Sequence, residues 1–191
     1  MRKVFKRLFD QEEFLSDYGI RSLSKHYLEH PYQFNLHGER LSVTYTPGES
    51  EQSIMGGNSN WRGPIWFPLN YLIIDSLNQY SKYYGDAYEV EYPTDSGQIM
   101  TIREVAHKIS SRLINIFKKN AQGTKPYNGQ VALFEENPDY NQYFLFFEYF
   151  HGDHGKGLGA SHQTGWTGLV ADLIAEKASY IAVYGSQADI P

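Results

Sequence analysis

Cysteine is absent from the chain, which removes disulfide frameworks and thiolate metal sites and leaves the redox compartment unread. No apolar run comes near the roughly 20 residues that cross a bilayer. The basic start, MRKVFKRLF, turns acidic too soon for a signal peptide and reads as a short helix. These absences give the expectation of a cytoplasmic protein with no membrane partner. Runs of Lys and Arg are missing too, and with a formal net charge of -5 a nucleic-acid face is excluded, because phosphate backbones need clustered cations. Glycine occurs in neither phosphate-loop nor dinucleotide-fingerprint order, so nucleotide binding is excluded and no cofactor is expected. Internal repeats and low-complexity stretches are lacking as well.

What is present is aromatic. The 191 residues include 16 tyrosines, 11 phenylalanines and three tryptophans, side chains whose flat apolar faces suit either sugar rings or an ordinary core. A chain that is 41% hydrophobic and 20% charged buries a core as a single unit, here taken as residues 1–191. Periodicity predicts a mainly α fold with one hairpin and one short strand inserted. Lys3 to Phe9 forms a short helix, the stretch up to Ser24 reads as loop with short helical pieces, and Gln33 to Tyr45 alternates around His37-Gly38 as a hairpin. A helix over Trp66 to Tyr84, with Pro68 in its first turn, is expected to point Leu69, Leu72, Ile73, Ile74, Leu77 and Tyr80 inward on more than one face. Thr101 and Glu104 write a capping box ahead of one stripe, Ile102, Val105, Ala106, Ile109, Leu113, Ile116 and Phe117. The last helix is placed near Thr167 to Ala182, with Leu169, Val170, Leu173, Ile174 and Ile181 inward. That makes three long helices and one short one.

Chemistry concentrates in two stretches. Glu148 sits inside the aromatic run from Phe144 to Phe150, ahead of a glycine-rich turn, a setting that fits a general acid or base but also fits a strand whose glutamate faces water. Upstream, a polar, glycine-rich loop from Pro47 arrives abruptly at Trp61, Arg62 and Trp66. Their spacing allows an indole face and a guanidinium beside a sugar, or a core tryptophan and a surface ion pair. Asn58 and Asn70 are candidates for hydroxyl contacts, although asparagine is equally a turn residue. His151, Asp153, His154 and His162 have ligand chemistry for a transition metal, but glycines between them leave the set poorly pre-ordered. Solvated or sugar-contacting histidines are the simpler reading.

Both stretches resemble glycoside hydrolase family 63, the family of processing α-glucosidases and their bacterial relatives. Glu148, Gly155 to Gly157 and Thr164 to Thr167 stand in the order and spacing of that family's C-terminal signature, and Asn58 to Tyr71 resembles its Trp-x-Gly-Pro-Ile-Trp block. The resemblance runs from about Phe9 to about Ala178. It implies an inverting glycoside hydrolase acting on α-glucosides or related sugars, with Glu148 as general base and Asn58, Trp61, Arg62, Trp66, Asn70, His162 and Trp166 against the substrate. It also implies an (α/α)6 toroid, and about twelve helices of about 11 residues with their connections would exhaust this chain. The chain is therefore expected to be the C-terminal part of a toroid, partnered by an oligosaccharide and by an upstream segment of the toroid or a second copy. The family's acid is an upstream aspartate, and no matching block occurs between Met1 and Trp61. The isolated chain is accordingly expected to be inactive. A carbohydrate-binding remnant and a metal-dependent hydrolase built on the histidine cluster are the competing readings.

Overall fold

The computed structural model describes residues 1–49 and 61–185, and these form a mainly helical body with small antiparallel hairpins. A short helix α1 (Arg2–Leu8) leads to a two-residue hairpin, β1 (Leu15–Ser16) with β2 (Gly19–Ile20), and then to a 3-10 turn over Lys25–Leu28. The hairpin read from the alternating pattern is there: β3 (Tyr32–Leu36) pairs with β4 (Glu39–Val43), turning through His37 and Gly38, both at positive φ. Further on come α2 (Phe67–Tyr84), a hairpin of β5 (Glu89–Glu91) and β6 (Ile99–Thr101), and α3 (Ile102–Asn115). After a 3-10 turn at Pro126–Asn128 the chain forms two short helices, α4 (Ala132–Glu136) and α5 (Pro138–Asn141). It ends in a hairpin of β7 (Tyr149–Phe150) with β8 (Gly157–Leu158), the short helix α6 (Thr164–Thr167) and the long helix α7 (Val170–Tyr184). The three long helices and short α1 match the expectation, whereas α4 to α6 and three of the four hairpins, too short to leave a periodic trace, go beyond it. Among the described residues no helix is long and apolar enough to cross a membrane.

The centre of this body is α3, which packs against α2 on one side and α7 on the other. Its start is fixed as the sequence predicts: the Thr101 hydroxyl accepts the Glu104 amide at 3.3 Å while the Glu104 carboxylate accepts the Thr101 amide at 2.7 Å. All seven residues of the expected stripe are buried, with Val105, Ile109, Leu113 and Ile116 at 0% exposure. Helix α2 begins with Pro68, which has no amide to leave unsatisfied in the first turn, and stops at Gly85, whose φ of 68° ends it. Its faces differ from expectation. Phe67, Asn70, Ile74, Leu77 and Ser81 form one buried stripe, while Leu72 and Tyr80 point outward at 61% and 43% exposure. The α3 stripe covers one side of α2; on its other apolar face Leu72 stays open while Tyr80 meets the Phe5 ring of α1 edge to face. Helix α7 behaves alike: Val170 and Leu173 are buried and Ile174 is exposed.

Candidate active site

Phe150 is fully buried, ring to ring with Phe67 and Phe117, and its backbone is bonded on both sides to Ile65. The Ile65 amide donates to the Phe150 carbonyl at 2.8 Å and the Phe150 amide returns the bond at 2.9 Å. This exchange joins the Trp61 to Trp66 block to the Glu148 hairpin. Two motifs separated by more than eighty residues are thus stitched together through backbone, with Ile65 also bridged to Arg21.

Around Glu148 the same economy of backbone bonds continues. The Glu148 amide donates to Ala160 O at 2.8 Å, the Gln163 amide to Phe146 O at 2.8 Å and the Thr167 hydroxyl to Phe147 O at 2.5 Å. His162 lies opposite Phe146 in a parallel bridge, and α6 then presents Trp166. Two glycines give this turn its shape. A side chain at Gly157 would strike the Phe147 ring, and one at Gly159, where φ is 68°, would lie 2.7 Å from Glu148 Oε2. The glutamate is half-buried with its carboxylate against Gly159. Among the described residues that carboxylate has no hydrogen-bond or ion-pair partner, although a carboxylate offers about four acceptor positions.

The three tryptophans gather here. Trp61 and Trp66 meet edge to face at 4.3 Å, and Trp66 meets Trp166 at 5.4 Å. Trp61 is 46% exposed, so one indole of the group is open to solvent. The Trp66 indole N–H is buried without an acceptor among the described residues, an arrangement that buried tryptophans normally avoid. Arg62 lies beneath this surface at 2% exposure, and its carbonyl accepts the Thr46 amide at 2.6 Å. At that burial it is not an exposed donor.

Asn70 has a different role from the one expected. It is fully buried; its Oδ1 accepts the Ile20 amide at 2.7 Å and its Nδ2 donates to Ile20 O at 2.9 Å and Trp66 O at 3.1 Å. The side chain acts as a surrogate strand for β2, and its full burial keeps it out of a sugar's reach. Gly19 makes room for it, since an added Cβ would sit 2.9 Å from Asn70 Oδ1. Asn58 falls outside the described residues.

The histidine cluster does not assemble into a metal centre. Asp153 is committed to Arg21, at 3.1 and 3.3 Å, and to the Tyr45 hydroxyl at 2.9 Å, while His162 stands apart at the Phe146 bridge. Among the described residues no three His, Cys, Asp or Glu side chains converge as ligands. His151 and His154 stack at 3.5 Å instead, and burial, with His154 adding to it, pushes the His151 imidazole down to about 4. Its Nδ1 accepts the Asp153 amide at 3.1 Å, which requires that nitrogen unprotonated. The Arg21, Asp153 and Tyr45 lock was not apparent in the sequence, because its members lie up to 132 residues apart and belong to no local pattern.

Residues 1–124 match the family model described as the glycosyl hydrolase family 63 C-terminal domain. The chain belongs to family 63. Its relatives include "Uncharacterized protein YMR196W" of Saccharomyces cerevisiae, 46% identical over 91% of the chain and 16% of the relative. A mannosyl-oligosaccharide glucosidase of the same yeast is 28% identical over 91% of the chain and 15% of its own length. Alpha-glucosidase 2 of Arabidopsis thaliana is 26% identical over 85% of the chain and 14% of its length. The family 63 model ends before Glu148, but matches that span 91% of the chain necessarily include it. The chain spans about a sixth of the length of these relatives.

Proposed function

We propose that this chain carries the general-base half of an inverting glycoside hydrolase acting on α-glucosides, within the C-terminal part of an (α/α)6 toroid. The observation that carries the reading is the Glu148 carboxylate, half-buried and without a partner among the described residues, on a hairpin that the Ile65–Phe150 backbone bonds join to the block of clustered indoles. Leaving a carboxylate unpaired in such a place costs free energy unless a ligand or water completes it. In an inverting mechanism that ligand is a water whose proton the ionised glutamate removes as the oxygen attacks the anomeric carbon. A second carboxyl, about 6.5 to 9.5 Å away across the sugar, protonates the departing oxygen. We assign that acid to an aspartate outside the present residues, as the family resemblance implies. Trp61 and Trp166 supply flat faces for the ring, and the buried Trp66 N–H is a donor in wait of an acceptor.

The test compares the 191-residue chain with the longest polypeptide its gene encodes, measured on an aryl α-glucoside with the anomer of the product followed by NMR. The chain alone is expected to be inactive and the longer polypeptide to release the β-anomer first. In the latter, Glu148→Gln keeps the shape but not the base and should lower kcat by about 10³-fold while preserving the fold. Retention of wild-type kcat by a folded Glu148→Gln variant overturns the assignment.

A further inference from the structure

A sugar ring brings several hydroxyls, and a Glu148 oxygen that faces the attacking water is one acceptor fewer for them. The three indoles are donors only, and the fully buried Asn70 amide is bonded to Ile20 and Trp66, so neither offers the ring an acceptor. A sugar ring needs both donors and acceptors. Glu49 reaches this place from the other side. Its Oε1 accepts the Gly159 amide at 3.3 Å, on the same glycine whose missing side chain makes room for Glu148 Oε2. Because N and an ideal Cβ lie about 2.5 Å apart, the two carboxylates are within about 9 Å of each other, close enough to border one sugar ring.

The approach of Glu49 is built into the backbone. Thr46 donates to Arg62 O at 2.6 Å and Gly152 donates to Pro47 O at 2.9 Å, so the segment carrying Glu49 is tied at one point to the tryptophan block and at another to the hairpin turn. Gly48 lies against the His151 imidazole, at a distance that leaves little space for a larger residue. Glu49 itself is solvent-exposed, and the Gly159 amide is its one polar contact among the described residues. No described cation neutralises it.

We propose that Glu49 is a substrate-positioning carboxylate of the Glu148 site, accepting hydroxyls of the bound sugar. The proposal rests on the reading of Glu148 as the base, and the two fail separately. Glu49→Gln keeps an oxygen for the Gly159 amide and removes the charge, so it spares a purely structural strap and damages a ligand contact. In the longest polypeptide the gene encodes, Glu49→Gln is expected to raise KM about tenfold with kcat within about twofold of wild type, whereas Glu148→Gln changes kcat. Calorimetric titration with 1-deoxynojirimycin, a cationic glucose mimic, should show Glu49→Gln losing more affinity for it than for glucose. Glu49→Asp, one methylene shorter with the charge kept, should recover part of the preference for the cation. Unchanged KM and an unchanged ratio of the two affinities in Glu49→Gln overturn the proposal while leaving the Glu148 assignment standing. Loss of kcat in Glu49→Gln equal to that in Glu148→Gln also overturns it, since a positioning contact does not replace the base.

Discussion

The helical core and the glycine-shaped turn beside Glu148 meet at Phe150, but different forces hold them. Around α3 the residues are large, apolar and fully buried, and the stabilisation scales with the area they remove from water, about 25 cal/mol per Å². At the hairpin the load falls on backbone bonds such as Glu148 to Ala160 and on spaces left by Gly157 and Gly159. A region of the first kind is sensitive to lost side-chain volume, while the second is sensitive to any side chain added at its glycines. The site is thereby given a precise shape without a core of its own.

Leu113→Ala breaks the comparison from the core side and should have the largest effect on stability. Leu113 is fully buried with its side chain against Gly19 of β2, and its truncation is expected to lower unfolding free energy by about 2–5 kcal/mol in urea titrations. The folded fraction should bind sugar as wild type. Gly159→Ala tests the other side: the methyl meets Glu148 Oε2 and the backbone is held at a φ of 68°, so the carboxylate must move. The expected cost in stability is smaller, about 1–3 kcal/mol, but kcat should fall at least tenfold in the longest polypeptide. Should Leu113→Ala abolish sugar binding at full folding, or Gly159→Ala leave kcat intact, the division between the two regions is wrong.

The smallest effect is one of pH. In the unfolded chain the His151 imidazole takes up a proton near 6.5, and in the folded chain only near 4. Between those values the unfolded state binds more protons, so this contribution is complete above about pH 6.5 and is lost as pH falls towards 4. Glu13, held below the usual carboxylate range by Arg7, adds its own loss at lower pH. Thermal unfolding followed by circular dichroism should show Tm falling by a few degrees over the His151 window, and His151→Asn should flatten that slope. An equal slope in the variant removes the histidine stack from the account.

These regions also differ in how far the sequence revealed them. The α3 stripe and its capping box are local, set by spacings of three and four residues, and every member lies where periodicity put it. Helix α2 was visible as a helix but not as an oriented one. Leu72 and Tyr80 have the same apolar character as Ile74 and Leu77, and only the width of the facing helix decides which pair is covered. Asn70 was misread for a related reason: a polar residue beside a ligand-type motif looks like a contact, and nothing local tells that Ile20, fifty residues earlier, consumes it. Glu148 and the tryptophans were legible as candidates through the family pattern, while their union through Ile65 and Phe150 belongs to the tertiary fold alone. The pairing of Asp153 with Arg21, like the reach of Glu49 to Gly159, is invisible to any window along the chain.

The gathering of Trp61, Trp66 and Trp166 has one more consequence. They are all the tryptophans the chain has, and the helical core, though rich in tyrosine and phenylalanine, contains none. With neighbouring indoles 4.3 and 5.4 Å apart, excitation absorbed by one is shared among all three. The intrinsic emission of this chain is therefore a local readout of the tryptophan cluster, while the 16 tyrosines report on the chain at large. An opening of the tryptophan cluster that leaves the helices folded is therefore seen in emission before it is seen in far-ultraviolet circular dichroism.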